Sequence, residues 1–348
     1  MAFVLAEHPV KHPNYPNGDH YAVLDTTDGV VEYITIKEIQ DYISQGITFV
    51  GNHYLAIKDE KQILKGYISI VRENLTSKLV YYLNKNCVVV EFNETHNLVQ
   101  KSYTAFKRNE IYDPLRETKH GGILGYASYS TIYKDIYTVW TSLLARAYTH
   151  ESGGKSYSDT SLSKDWLYFP NFLNWYLSQC NYTQDIITIL VQNSEELQLD
   201  KDILIKGNRE YSSTACCLVP KQINNLIKHR TKSSYYPLGL DLHSNCIRAT
   251  ITKNNTPNNR CTCNFKTFES SSSVYYDIAK AYKNINKIPK EQWAAIGYCF
   301  LWYKEQKEAE INRLAEYWYN YEYEGQIYHC ITKECYDALM NWVVDIND

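Results

Sequence analysis

Three features are absent from the 348-residue sequence, and each absence excludes a class of protein. No run approaches the roughly 18 apolar residues of a membrane-spanning helix, so we expect no membrane partner. The first residues lack the basic start and long apolar core of a signal peptide, so we expect a cytoplasmic protein. None of the ten cysteines falls in a CxxC pair, so we expect no structural zinc and interpret the thiols as small buried hydrophobic groups.

The composition is that of folded domains. Hydrophobic residues make up 44% of the chain and charged residues 22%, and the length suffices for two or three cores. The 33 tyrosines are unusual beside 2 methionines. Tyrosine is favoured at interfaces and on nucleic-acid surfaces. Because Asn, Lys and Ile are also abundant, the codon bias of an AT-rich genome is the simpler explanation.

One stretch, Leu199–Asn224, holds the residues with the clearest chemistry. It predicts a strand, a polar turn at Gly207-Asn208, a short apolar strand and a helix that begins near Pro220. On a hairpin packed against a helix, four side chains can converge on one face: Asp200, Asp202, Asn208 and Asn224. Their oxygen atoms suit a hard divalent cation such as Mg²⁺ or Mn²⁺. Alternatively, the two aspartates cap a turn and Asn208 takes the left-handed position in it.

This stretch resembles the ββα-metal module of HNH endonucleases, in the divergent form of bacteriophage proteins with the pattern LDKDI…GN..YS…C..VP..IN. The resemblance implies a metal held by Asp200, Asp202 and Asn224, and a catalytic group of Asp200, Lys201 and Asn208. Ordinary HNH enzymes carry a histidine base about where Lys201 lies. A lysine with an ordinary pKa of about 10 is a poor base at neutral pH, so Lys201 is expected to stabilise charge on a phosphate. The implied location of a phage-encoded chain is the host cytoplasm.

Residues 131–191 are predicted to be helical and aromatic. Trp140 lies in one apolar helical repeat, and a second segment runs from Trp166 to Trp175. Aromatic side chains at this spacing usually form a core, and we expect a core here. The pattern is similar to the helical segment that the same phage proteins place before LDKDI, and Arg146 matches its arginine. Two roles remain open for Arg146, a buried ion pair or a contact with DNA phosphate.

The charge is unevenly distributed along the chain. Residues 221–290 hold twelve Lys and Arg against three Asp and Glu, a net charge of +9, so the rest carries −12 to give the total of −3. A basic segment of this density binds polyphosphate through counterion release and needs no sequence preference. A solvated basic surface is the alternative, but the density favours contact with nucleic acid.

Within the basic segment, residues 237–270 predict three strands, with turns at 243–245 and 254–259, followed by a helix that turns Ala279 and Tyr282 inward. Three antiparallel strands covered by one helix resemble the plant ethylene-response-factor type of DNA-binding domain, which phage HNH proteins also carry. In that family the sheet enters the major groove of double-stranded DNA. The resemblance assigns DNA contacts to Arg248, Lys253, Arg260 and Lys266. Asn264 replaces the glycine that is usual in that family, and this departure favours contact with the DNA backbone over recognition of the base sequence.

Other segments carry less chemical information. A hairpin is predicted at Asp28-Gly29, with a helix after it that ends at Gly46, and residues 291–348 are predicted to be helical as far as Gly325. His96 and His120 lie in predicted loops. Each could act as a base, but a solvated loop histidine is the simpler interpretation.

The sequence therefore predicts an α+β, multi-domain fold whose small N-terminal modules are β-rich, with an α+β module at 1–60 and a β module at 61–125. An HNH-like module with its preceding helical segment is predicted at 126–232, and a three-stranded DNA-binding domain with C-terminal helices at 233–348. Three functions remain open. The first is a metal-dependent, homing-like HNH endonuclease, active or catalytically degenerate. The second is a non-catalytic DNA-binding protein that reuses the nuclease scaffold. The third is a phage structural or host-interaction protein.

Overall fold

The structure is a computed structural model that describes residues 3–50, 68–70, 76–108, 110–126, 128–149, 159–227, 235–253, 256–268 and 273–348. It divides into two compact units, Met1–Trp175 and Tyr176–Asp348, hereafter the N-terminal unit and the C-terminal unit. Both contain helices and small sheets, so the α+β, multi-domain class is confirmed. The domain boundaries predicted at residues 60, 125 and 232 stay predictions.

The first sheet of the N-terminal unit has the order β3-β2-β1-β4, with β1 and β4 parallel and the other neighbours antiparallel. Its strands are β1 (Phe3–Leu5), β2 (His20–Asp25), β3 (Val31–Thr35) and β4 (Phe49–Val50). The predicted hairpin is confirmed, with Gly29 at a positive φ of 74°. Helix α1 (Ile36–Ser44) follows directly because Thr35 and Glu38 form a capping box. The helix ends before Gly46, as predicted.

The second sheet is an antiparallel meander in the order β5-β6-β7-β8. Its strands are β5 (Ile68–Ile70), β6 (Thr76–Asn84), β7 (Cys87–Phe92) and β8 (Leu98–Lys101). All residues of β7 are buried, so both faces of this strand are covered. The turn between β7 and β8 places His96 in the left-handed region, with a φ of 57°.

The rest of the N-terminal unit is mostly helical. Its elements are α2 (Tyr103–Lys107), α3 (Tyr129–Ile132), α4 (Lys134–Leu144), a π-helical turn (Ala145–Thr149), β9 (Ser161–Leu162), a 3-10 turn (Lys164–Leu167) and α5 (Phe169–Ser178), which continues past Trp175. Trp140, Trp166, Phe169 and Phe172 are fully buried, which confirms the aromatic core. The Trp140 indole N–H donates to the Trp166 carbonyl at 2.7 Å, so the ring is buried with its polar atom satisfied.

The C-terminal unit contains the predicted strand, turn, strand and helix. Its elements are α6 (Gln184–Gln192), β10 (Leu197–Asp200), β11 (Glu210–Tyr211), β12 (Cys217–Pro220) and α7 (Lys221–Ile227). Strand β10 pairs antiparallel with β12, and Asp200 lies opposite Cys217. Helix α7 packs on both strands, so the chain forms the ββα arrangement that the sequence predicts.

A three-stranded antiparallel sheet follows in the order β13-β14-β15. Its strands are β13 (Leu240–His243), β14 (Cys246–Lys253) and β15 (Thr256–Asn264). The first predicted turn is confirmed, with Ser244 at a φ of 56°. The second was predicted too long, because Thr256–Asn259 belong to β15 and cross-strand pairing overrides their local turn preference. The remaining residues of that prediction, 254–255, lie outside the described residues.

Helix α8 (Ser273–Lys280) packs on the long α9 (Trp293–Tyr319), and α9 covers the sheet. The prediction that the helix directly after the three strands covers them was therefore wrong. The prediction of helix as far as Gly325 was wrong, because β16 (Tyr321–Tyr323) and β17 (Gln326–Tyr328) form a hairpin after α9. Helix α10 (Lys333–Met340) completes the unit. One hydrophobic core runs from Ile186 to Ile346. None of the helices in the described part of the chain combines the length and apolarity that crossing a bilayer requires.

Candidate nucleic-acid interface and metal-binding module

Asp200 ends β10 and shapes the turn that follows. Its Oδ1 atom accepts the backbone N–H groups of Asp202 at 2.7 Å and Ile203 at 2.9 Å. Burial raises the pKa of the Asp200 carboxyl, and these hydrogen bonds oppose the rise. Both bonds go to Oδ1, so Oδ2 has no hydrogen-bond partner among the described residues.

Lys201, Asp202 and Asn208 are brought together in the loop after β10. The buried Lys201 ammonium donates to Asp202 Oδ2 at 2.8 Å and to the Asn208 carbonyl at 2.7 Å. The Asn208 amide donates in return to the Lys201 carbonyl at 3.0 Å. Lys201 therefore serves as a donor that closes the loop. The left-handed position of this turn belongs to Gly207, with a φ of 77°, and not to Asn208 as the capped-turn alternative had it.

Asn224 faces β10 from the first turns of α7. Its Nδ2 donates to Gln198 Oε1 at 2.9 Å, and its Oδ1 is buried without a hydrogen-bond partner. Gln198 precedes Asp200 by two residues on the same face of β10, a spacing of roughly 7 Å. The sequence analysis missed Gln198, although its position two residues before Asp200 was a usable signal.

The predicted site for a hard divalent cation depends on the side-chain oxygen atoms near β10. Within the described ranges, no group of three or more His, Cys, Asp or Glu side chains is placed to hold a metal ion. Near β10, Asp200 Oδ2 and Asn224 Oδ1 are the oxygen atoms of these two side chains without a hydrogen-bond partner among the described residues. Asp202 is engaged by Lys201 and could join them only if that ion pair opened.

The outer face of the β13–β15 sheet is polar. Ile247, Ala249 and Ile251 of β14 point into the core, so the alternate residues of that strand point outward. Residues of β13 and β15 that lie opposite them complete the face. Those with described side chains are Asp241, His243, Cys246, Arg248, Thr250, Arg260, Thr262 and Asn264.

The two arginines of this face differ in their ion pairing. Arg248 donates to both carboxylate oxygens of Asp241, at 2.9 and 2.6 Å, and this pairing raises the pKa of the guanidinium. Arg260 is exposed and has no ion-pair partner among the described residues. Because Arg248 lies opposite Thr262, Arg260 is its diagonal neighbour on the face. The sequence analysis missed Asp241, which the short 243–245 turn places opposite Arg248.

The other predicted DNA contacts lie near this face or in the other unit. Lys266 is exposed just after β15. Lys253 ends β14, and its side chain lies outside the described part of the chain. Arg146 is half-buried in the π-helical turn of the N-terminal unit. The arginines on the sheet therefore form the better-defined basic surface.

No family model, curated protein or solved structure matches this chain. The resemblance to HNH endonucleases and to ethylene-response-factor domains therefore stays a prediction. The ββα arrangement and the outer face of the three-stranded sheet are the two features of the chain that bear on its function.

Proposed function

We propose that this protein binds double-stranded DNA through the outer face of the β13–β15 sheet. The observation that carries the proposal is the contrast between the two faces. One packs against α9, and the other is a polar surface with Arg248 and Arg260 as diagonal neighbours. The major groove admits small β-structures of this kind, and arginine binds both phosphate oxygens and base edges.

The charges on this surface favour contact with the DNA backbone. Asp241 holds the Arg248 guanidinium in a bidentate pair, so the hydrogen-bonding groups of Arg248 are already engaged. Arg260 and Lys266 are exposed and can reach phosphate without breaking an ion pair among the described residues. Binding is therefore expected to be strongly salt-dependent and weakly sequence-dependent. The cytoplasm is the proposed compartment, and the ten free cysteines fit its reducing environment.

The test is a fluorescence-anisotropy titration of a labelled duplex with the full chain at several salt concentrations. We expect the logarithm of the affinity to fall linearly with the logarithm of the salt concentration, with similar slopes for unrelated sequences. Absence of binding at low salt would overturn the proposal. That outcome would favour the alternative of a phage structural or host-interaction protein.

A second candidate function, metal-dependent hydrolysis of a DNA phosphodiester, is favoured by the orphaned oxygen of Asn224 beside β10. Asp200 Oδ2 and Asn224 Oδ1 would hold Mg²⁺ or Mn²⁺, which when bound would polarise the phosphate. The Lys201 ammonium would add positive charge to the site while Asn208 holds its loop.

The hydrolysis candidate predicts plasmid nicking that depends on Mg²⁺ or Mn²⁺ and on Asp200. The Asp200→Asn variant removes the charge but keeps an oxygen that can accept from Asp202 and Ile203, so the turn should persist. Asp337→Asn, which alters an exposed aspartate on α10, is the matched control. We expect nicking to be lost in the first variant and kept in the second. Equal nicking by both variants, or none by the wild type, would leave DNA binding as the function.

A further inference from the structure

A buried glutamate organises an unexplained cluster in the N-terminal unit. Glu91 on β7 is 1% exposed, and its Oε1 lies 3.3 Å from His96 Nδ1. Its Oε2 lies 3.5 Å from Lys78 Nζ and accepts the backbone N–H of Glu7 at 3.4 Å. Lys78 also pairs with the Glu7 carboxylate at 2.6 Å. One carboxylate thus joins the β6–β7 pair, the segment after β1 and the turn before β8.

His96 makes this contact from an uncommon backbone conformation. A φ of 57° is uncommon for a residue other than glycine and costs conformational energy. The contact between Nδ1 and a carboxylate assigns the proton to Nδ1 and leaves the lone pair of Nε2 free for a ligand. This contact orients the ring so that Nε2 is the nitrogen left for a ligand.

His8 supplies a second imidazole at the right distance. The ring centres of His8 and His96 are 4.8 Å apart, in an edge-to-face arrangement. Two imidazoles bound to one tetrahedral ion through Zn–N bonds of about 2.1 Å have ring centres roughly 5 Å apart. His8 is exposed, so an ion can reach the pair from solvent. The carboxylates of Glu7 and Glu91 outweigh the ammonium of Lys78 by one negative charge, which suits a cation.

We propose that His8 and His96 bind one exchangeable divalent transition-metal ion of the zinc class, with Glu91 as the residue that positions His96. Imidazole nitrogen is a preferred ligand of Zn²⁺ and a poor one for Mg²⁺, so this site differs in chemistry from the oxygen atoms near β10. A carboxylate that binds the far nitrogen of a metal-bound histidine is the usual supporting contact. Two protein ligands leave the other coordination positions to water.

The test is isothermal titration of the full chain with Zn²⁺ in the presence of a non-coordinating reductant. We expect one site whose affinity falls at least tenfold in His8→Gln and in His96→Gln, and tenfold to a hundredfold in Glu91→Gln. His243→Gln, an exposed histidine on β13, is the matched control and should leave the affinity unchanged. Mg²⁺ should not compete.

A spectroscopic readout separates a loss of ligands from a loss of structure. The electron paramagnetic resonance spectrum of bound Cu²⁺ should show two imidazole nitrogens in the wild type and fewer in either histidine variant, while thermal melts confirm that each variant folds. Zinc affinity and copper spectra that are the same in the wild type and both folded variants would overturn the proposal. An absence of binding by the wild type would overturn it as well.

Discussion

Lys307 on α9 is a cation enclosed by the core of the C-terminal unit. The residue is 3% exposed, and its ammonium lies over the Tyr303 ring, 5.6 Å from the ring centre. Burial lowers the pKa of Lys307 to about 8, and Lys206 adds to the effect while Asp348 opposes it. Because the folded-state pKa lies below the ordinary value of 10.5, the unfolded chain binds more protons between those two pH values. Lys307 therefore destabilises the fold below pH 8, and this penalty disappears as the pH rises to 10.5.

Replacing Lys307 with methionine should stabilise the protein at neutral pH. The variant keeps a flexible apolar stem and removes the buried charge, so we expect the free energy of unfolding to rise by about 2 kcal/mol at pH 7. The gain should shrink at pH 10, where the wild-type amine is mostly neutral. Urea denaturation at both pH values measures it. Lys304→Met, which removes an ion pair with Glu308, is the control and should not stabilise. A Lys307→Met protein less stable than the wild type at pH 7 would contradict this explanation.

At the residue scale, the sequence predicts which side chains are polar and close together but not how they pair. The spacing of Asp200, Lys201 and Asp202 indicated a cluster, and the structure shows a cluster there. Lys201 donates across the loop to the carbonyl of Asn208, seven residues along the chain, and also donates to the carboxylate of Asp202. The conformation of a loop decides which side chains pair, and residue spacing does not reveal that conformation. The ion pair between Lys201 and Asp202 could therefore not be predicted from the sequence.

At the element scale, strong local signals were reliable. The Asp28-Gly29 turn predicts a hairpin and Gly46 predicts the end of the helix that follows, and both are present. Residue composition gave the wrong secondary structure at two places where pairing between strands decided the conformation. Thr256–Asn259 has the residues of a turn yet forms strand with β14. The β16–β17 hairpin turns at Glu324-Gly325, both at positive φ, within a stretch whose tyrosines permit either helix or strand.

The crossing of α8 and α9 depends on one glycine. A Cβ atom at Gly297 would lie 1.9 Å from the Tyr275 backbone carbonyl oxygen, a contact that only a shift of one helix could relieve. Alanine favours helix by about 1 kcal/mol over glycine, so an unobstructed Gly297→Ala change would stabilise. We expect instead a loss of about 2 kcal/mol or more in the free energy of unfolding, because overpacking outweighs the propensity.

Chemical denaturation of Gly297→Ala measures that loss. Glu305→Ala, at an exposed position of the same helix, is the control for the effect of alanine alone and should change stability by less than about 0.5 kcal/mol. A Gly297→Ala protein as stable as the wild type would show that the two helices can separate freely.

At the scale of the whole molecule, the structure shows which charged side chains of the basic segment form ion pairs. Two of its acidic residues pair with basic residues of the segment, Asp241 with Arg248 and Asp277 with Lys280, while Lys221 pairs with Glu196 outside the segment. Arg260, Lys266, Lys287 and Lys290 are exposed without ion pairs among the described residues. The core that joins α6 and β12 to the three-stranded sheet could not be predicted, because contacts between distant segments leave no periodic pattern.

The central claim, that DNA binds the outer face of the β13–β15 sheet, is tested most directly by duplex affinity and salt slope in two variants of that face. Arg260→Ala should weaken binding and lower the magnitude of the salt slope by about one, as expected for one lost phosphate contact. Asp241→Asn should strengthen binding, since it removes a negative charge and frees Arg248. Arg108→Ala, an exposed arginine after α2, is the control and should match the wild type. Equal affinities and slopes for all four proteins would contradict the claim.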